Sequence, residues 1–329
     1  MDYSAPQNPR VLVTGGAGYI GSHVVLALLE AGLTPVVVDD LSTGHAEFVP
    51  DGVAFHQLDI LDTQRLSGVI AAESITAAIH LAAYKYAGVS VDRPLHTWQQ
   101  NAGGTMSLLA AMSENDVHNL VFSSTAAVYG TTDVPLVLES EPTHPESPYG
   151  ESKLAAERII TNQAGTGRLT FTNLRYFNVV GSGSPTLYDS SPHNLFPLVI
   201  DALLAGREPT VFGDDYPTHD GSCVRDYVHV SDLAAAHVVA LTRLVSGDSI
   251  EPIYNLGSGT GVSVKEIMSA VADVTGIAFT PKIAARRAGD PPRIVASGDL
   301  ASRDLDWQMR HSLHEMVESA WSARNTESA

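Results

Sequence analysis

The chain has one cysteine, Cys223, among 329 residues, which excludes an intramolecular disulfide framework. Bases are scarce: 4 Lys and 15 Arg stand against 37 acidic side chains, for a formal net charge of −18. Those bases are dispersed, whereas a polyphosphate backbone is held by clustered cations, so a nucleic-acid-binding surface is excluded. No run approaches the roughly 18 apolar residues of a membrane span. Residues 1–6 show neither the basic region nor the apolar run of a leader, so a reducing, cytoplasmic home is expected. Charged residues are only 17% of the chain and hydrophobic ones 44%. The chain is acidic because it lacks bases, and it has the composition of a core builder, not of a disordered segment. Its length suits one large or two moderate domains.

From Arg10 onward, short β-branched runs alternate with segments of helical period, the pattern of βαβ units and a parallel sheet. Strands are predicted over 11–14, 35–39, 53–58, 77–82, 120–124 and 171–175. A first helix spans 22–31, with Gly32 as its stop. After Asn178 the texture loosens into a looped stretch, a helix over 194–205, a short strand over 210–212 and a helix over 230–244. The polar end, 325–329, reads as frayed.

Thr14 to Gly21, TGGAGYIG, lies between a predicted strand and a predicted helix, the context a dinucleotide fingerprint requires. The glycines permit a turn closed to other residues and let a pyrophosphate approach the helix N-terminus. A tight βα turn alone would also use glycines. Asp39, however, ends the next predicted strand, where a carboxylate can accept both ribose hydroxyls and repel a 2′-phosphate, so NAD is favoured over NADP. Asp59, ending the third strand, reads equally as a contact to adenine or as a helix cap. The fold class is therefore α/β, a Rossmann-type doubly wound parallel sheet with a smaller α/β substrate-binding lobe. The NAD-binding domain is placed at 1–178 and the substrate-binding domain at 179–329, with segments near 224–244 packing back on the first.

Ser147 caps a helix that starts at Pro148, and Tyr149 and Lys153 share one face of it. A phenol with a free pKa of about 10 is a poor base at neutral pH. A nearby ammonium and an oxidised nicotinamide both favour the phenolate, which could then take a proton from an alcohol. Ser123, Ser124 and Thr125, at the end of a predicted strand, offer a hydroxyl to hold the alcohol oxygen.

These parts, Thr14 to Gly21, Thr125, and Tyr149 with Lys153, resemble the extended short-chain dehydrogenase/reductases that act on nucleotide sugars. The resemblance is closest to their 4-epimerases. It is carried by Phe122 to Gly130 (FSSTAAVYG), Arg175 to Asn178 (RYFN), Phe212 to Asp220 (FGDDYPTHD), Val224 to Asp232 (VRDYVHVSD), Tyr254 to Gly257 (YNLG) and Arg286 to Asp290 (RRAGD), and runs from Arg10 to about Trp321. It implies reversible epimerisation at C4 of a UDP-hexose by transient hydride transfer to tightly bound NAD, through a 4-keto intermediate that turns over in the site. Thr125, Tyr149 and Lys153 would be catalytic. Gly15, Gly18, Tyr19, Ile20, Gly21, Asp39, Asp59, Ile60, Ala82, Lys85 and Phe177, with Gln100 or Asn101, would hold the cofactor. Asn178, Asn194, Leu195, Phe212, Arg225, Arg287 and Asp290 would hold the UDP-sugar. Two arginines suit a pyrophosphate, although Arg225 beside Asp226 reads by itself as a surface ion pair. A homodimer is implied by the same resemblance.

The chain departs from the pattern at three places. Gln100-Asn101 stands where two asparagines are usual, Val179 replaces a common proline and is expected to loosen that turn, and Ile294 takes the place of a bulky residue that gates the sugar pocket. The last leaves N-acetylhexosamines open as substrates, and a pentose or uronate 4-epimerase, which uses the same machinery, stays an alternative. A 4,6-dehydratase needs an acid/base pair directly after Thr125, where this chain has Ala126-Ala127. A non-catalytic NAD sensor would have lost Tyr149 or Lys153. The 13 histidines are scattered, and the pair His311 and His314 reads as a solvated helix face with no metal role.

Overall fold

The structure, a computed structural model, describes residues 9–287 and 290–327. Residues 1–6 and the last two of the polar end lie outside the described residues. The chain divides into two compact units.

The first unit comprises Met1–Val128, Pro145–Leu174 and Ala234–Tyr254. All six predicted strands form: β1 (Arg10–Thr14), β2 (Thr34–Asp39), β3 (Ala54–Gln57), β4 (Ala77–His80), β5 (Asn119–Ser123) and β6 (Thr170–Tyr176). They pair in parallel in the order β6-β5-β4-β1-β2-β3. A seventh strand, Ile253–Leu256, joins beside β6. This is the Rossmann-type α/β sheet, with its order reversing between β1 and β4, where α/β sheets open a crevice at the carboxyl ends of their strands. β1 and β4 are almost wholly buried, because both faces of a parallel sheet are covered; such strands read as continuous apolar runs. Leu12, Val36, Ala78, Leu120 and Phe122 of the sheet pack against Leu66, Leu108, Met112 and Ile160 of the helices.

The second unit comprises Tyr129–His144, Arg175–Leu233 and Asn255–Ala329. Its core gathers Val180, Phe196, Val199, Val211, Tyr227, Ile267, Met268, Met316 and Val317. A boundary at residue 178 does not divide the units. Val137 donates its amide to Val295 and bridges Ala296, which ties 129–144 into the second unit. The strand Ile253–Leu256 and the bond from Asn173 N–H to Pro252 O at 2.9 Å bring the residues before it to the sheet.

The predicted helices form as Tyr19–Glu30, Leu195–Leu204 and Val230–Val245. The expected fraying is corrected in part: a helix runs through Leu313–Glu327, anchored on its buried Met316 and Val317. Val179 does not loosen a turn. It lies in the strand Asn178–Val180, paired in parallel with Tyr227–His229. No described helix is long and apolar enough to cross a membrane.

Candidate active site

In the first unit the glycine loop is a close approach of backbone to backbone. Gly15 has φ +74, and a Cβ on it would lie 2.7 Å from Ala82 N; one on Gly21 would lie 2.0 Å from the Gly15 carbonyl oxygen. The helix Tyr19–Glu30 begins at Gly18 with no side-chain cap and no acidic residue in its first turn. Its leading amides are thus left to an anion, which the helix dipole favours. Asp39 closes the neighbouring loop: its carboxylate accepts from Ala17 N at 3.0 Å and Leu41 N at 2.9 Å. Burial raises its pKa, and those two amides oppose the rise. Asp59 is exposed and accepts from Leu61 N at 2.9 Å, while the cap of the next helix is Asp62, so the capping reading of Asp59 does not hold. Ile60 is buried, and Lys85 is exposed with its Nζ 5.7 Å from the Tyr86 ring.

Gln100 and Asn101 sit in a π-helical turn, Gln99–Gly103, the kind of irregularity that often marks functional sites. Asn101 is buried and engaged within the protein. Its Oδ1 accepts from Tyr84 N at 2.7 Å, and its Nδ2 donates to Tyr84 O at 3.1 Å and to Ser152 Oγ at 2.9 Å. The amide thereby braces the loop after β4 against the helix Pro148–Ala164.

The three hydroxyls after β5 are sorted by partner. Ser123 Oγ lies 3.0 Å from His237 Nε2, Ser124 Oγ donates to Glu157, and Thr125 Oγ1 accepts from Ala127 N at 3.2 Å beside the Tyr149 hydroxyl. Ser147 accepts from Gly150 N at 3.2 Å and starts the helix with Pro148, as the sequence predicts. Tyr149 is half-buried, and burial raises its phenol pKa while the Thr125 hydroxyl lowers it. The expected depression by Lys153 is not among the causes. Lys153 is 3% exposed, its Nζ 4.3 Å from the Phe122 ring centre. Burial lowers its pKa to about 7, against the charge of Glu157, which raises it.

Sequence reasoning missed two groups here. His80 is buried between Thr14 and Thr105. Glu157 is buried one turn past Lys153, and the signal was an acid on the same helix face as the apolar Leu154 and Ile160.

In the second unit, Arg225 Nη2 meets Asp290 Oδ1 at 3.1 Å with its side chain only 14% exposed, so its partner is distant in sequence and not the adjacent Asp226. Asp226 is fully buried and accepts from Ser258 N at 2.8 Å and Ala296 N at 3.0 Å. Its own carbonyl accepts from Asn178 Nδ2 at 3.0 Å. The guanidinium of Arg287 lies 4.1 Å from the Phe212 ring centre, a cation on an aromatic face. Asn194 precedes the helix Leu195–Leu204, with its Nδ2 on Asp189 at 2.6 Å, and Leu195 packs on the core. Phe177 is half-buried between β6 and the strand Asn178–Val180. His311 is not on a solvated helix face. It precedes the last helix, with Nδ1 3.0 Å from the buried Asp232 and its ring stacked 3.9 Å from His229; His314 is exposed near Glu318. Among the described residues, no group of three or more His, Cys, Asp and Glu is placed to hold a metal ion.

The NAD dependent epimerase/dehydratase family model matches residues 11–257. The UDP-glucose 4-epimerase of Halalkalibacterium halodurans is 45% identical over 316 residues, covering 94% of each chain. The crystal structure of the UDP-glucose-4-epimerase from Stenotrophomonas maltophila, with bound NAD and formylated UDP-arabinopyranose, matches with a TM-score of 0.93 at 40% identity, covering 98% of this chain and 99% of that one. That of the Brucella ovis UDP-glucose 4-epimerase in complex with NAD matches with a TM-score of 0.92 at 39% identity, covering 95% and 97%.

Proposed function

Because the chain belongs to the NAD dependent epimerase/dehydratase family, we propose that it interconverts UDP-glucose and UDP-galactose. It is an NAD-dependent isomerase that epimerises C4 of a UDP-hexose through a 4-keto intermediate. The observation that carries the reading is Tyr149 beside the Thr125 hydroxyl with Lys153 one turn on, in the same unit as a glycine cradle that a Cβ would fill. Gly15, Gly18, Tyr19, Ile20, Gly21 and Asp39 would hold the cofactor at the helix N-terminus, with Asp59, Ile60, Ala82, Lys85 and Phe177 completing its contacts and Asn101 bracing them. Bound NAD supplies the transient acceptor and donor of hydride. Tyr149 takes the proton of the sugar 4-hydroxyl and returns it, Thr125 holds that oxygen, and the Lys153 ammonium favours the phenolate that the oxidised nicotinamide also favours. Arg225, Arg287 and Asp290 grip the diphosphate and ribose, Phe212 the uracil, and Asn178, Asn194 and Leu195 complete the site.

Ile294 supports a broader substrate range. It pairs in register with Arg225, and its aliphatic side chain leaves more room than a tyrosine would, enough for a sugar bearing an N-acetyl group. A homodimer is supported by apolar side chains left exposed on neighbouring helices of the first unit, Val91, Leu95, Trp98 and Met106. The buried, unpaired Cys223 suits a reducing cytoplasm.

The test is incubation of the purified protein with UDP-glucose, UDP-galactose and their N-acetyl and pentose analogues without added NAD, products being resolved by chromatography. Epimer formation supports the function with resident cofactor. No interconversion of any UDP-sugar, even with NAD supplied, refutes it.

A further inference from the structure

Behind the proton-transfer pair lies a carboxylate that the reaction as described does not use. Glu157 is 4% exposed and lies one turn beyond Lys153 and two beyond Tyr149 on the helix Pro148–Ala164, so all three share a face. Its neighbours Leu154, Ala156 and Ile160 are buried apolar residues, and helix packing alone would put another there. A buried acid is costly unless it is paired and hydrogen-bonded. Ser124 donates its hydroxyl to Glu157, and Ser124 immediately precedes Thr125, whose hydroxyl acts on Tyr149. The groups facing Lys153 are Tyr149 and Glu157 on its own helix, the Phe122 ring on β5, and His80 on β4, which is neutral. Glu157 supplies the negative charge among them.

We propose that Glu157 is a positioning residue of the epimerisation, which keeps Lys153 an ammonium inside the fold and fixes, through Ser124, the strand end from which Thr125 meets Tyr149. This rests on the reading of Tyr149 and Lys153 as the proton-transfer pair. Burial already lowers the lysine to about 7 with the Glu157 charge in place. Without that charge the ammonium would give up its proton below neutral pH, and the phenolate would lose its support.

The test is the pH dependence of turnover in the NAD-loaded protein. Glu157→Gln keeps the shape and an acceptor for Ser124 but removes the charge. The alkaline limb of kcat, where Lys153 deprotonates, should move down by about one pH unit, with roughly fivefold loss of rate at neutral pH and NAD retained. Glu157→Asp keeps the charge and should restore the limb, though not the full rate. A Glu157→Gln profile that superimposes on the parent overturns the proposal, as does an aspartate variant shifted as far as the glutamine one. A purely structural role would lower the rate equally at every pH. Should Glu157→Gln not fold, Ser124→Ala is expected to lower kcat several-fold with KM for the UDP-sugar unchanged, and an unchanged kcat overturns the positioning. Tyr149→Phe is run alongside. Turnover by it sinks the proton-transfer pair itself, whereas its inactivity with an unshifted Glu157→Gln limb sinks only the role of Glu157.

Discussion

Thr14 Oγ1 lies 2.7 Å from Nδ1 of His80, joining the ends of β1 and β4 beneath the glycine loop. Thr105 Oγ1 gives its hydrogen to Asn101 O at 2.7 Å, so it accepts from His80 Nε2 at 3.1 Å. The imidazole therefore carries its proton on Nε2 and accepts from Thr14 on Nδ1. Burial first, and the Lys153 charge second, lower its pKa from 6.5 to about 3.

A depressed histidine pKa makes acid destabilising. The unfolded chain binds the proton more tightly, so the stability present above about pH 6.5 is lost as pH falls towards 3. His23, lowered to about 4 by burial, acts in the same direction. His80→Gln should reduce the slope of unfolding free energy against pH in that window by about one proton, or roughly 1.4 kcal/mol per pH unit, measured by urea denaturation.

Gly21→Ala would place a methyl 2.0 Å from the Gly15 carbonyl oxygen, which is backbone and cannot rotate away. The loop must open. Overpacking of this kind costs about 1–3 kcal/mol. The variant should also be purified with little or no NAD, as quantified after denaturation.

Asn101→Ala removes the acceptor of Tyr84 N and a donor to Ser152 Oγ. Leaving a buried donor unpaired costs about 1–3 kcal/mol. Hydrogen exchange at the Tyr84 amide should speed up at least tenfold, and NAD should be held more weakly because the loop carrying Ala82 and Lys85 loses its brace. An unchanged Tyr84 exchange rate would contradict this.

Arg287→Lys keeps the charge but loses the planar group that lies over Phe212. A guanidinium both stacks and binds a phosphate bidentately, which an ammonium cannot do. The KM for the UDP-sugar should rise about tenfold, corresponding to roughly 1.4 kcal/mol, with kcat little changed. The split between the two parameters in steady-state kinetics is the readout.

The parallel sheet, the glycine turn and the Tyr149–Lys153 face were legible in the sequence because each is local. An apolar run, a positive-φ turn and an i, i+4 spacing need no distant partner. The seventh strand was not, since Ile253–Leu256 is a short apolar run that acquires its meaning only beside β6. His311 misled for the same reason. Its spacing to His314 suggests a helix, but the helix begins at Leu313, and the partner of His311 is Asp232, 79 residues earlier.

What the sequence by itself determined was the class of fold and the kind of chemistry, since backbone sterics, hydrophobic period and phenol–ammonium spacing act over a few residues. Only the tertiary structure decided that Asn101 braces a loop, that Arg225 answers to Asp290, and that Glu157 and His80 flank the buried Lys153. Those facts depend on which side chains lose water together. Burial makes each charge or hydrogen bond count, and no position along a chain carries its burial with it.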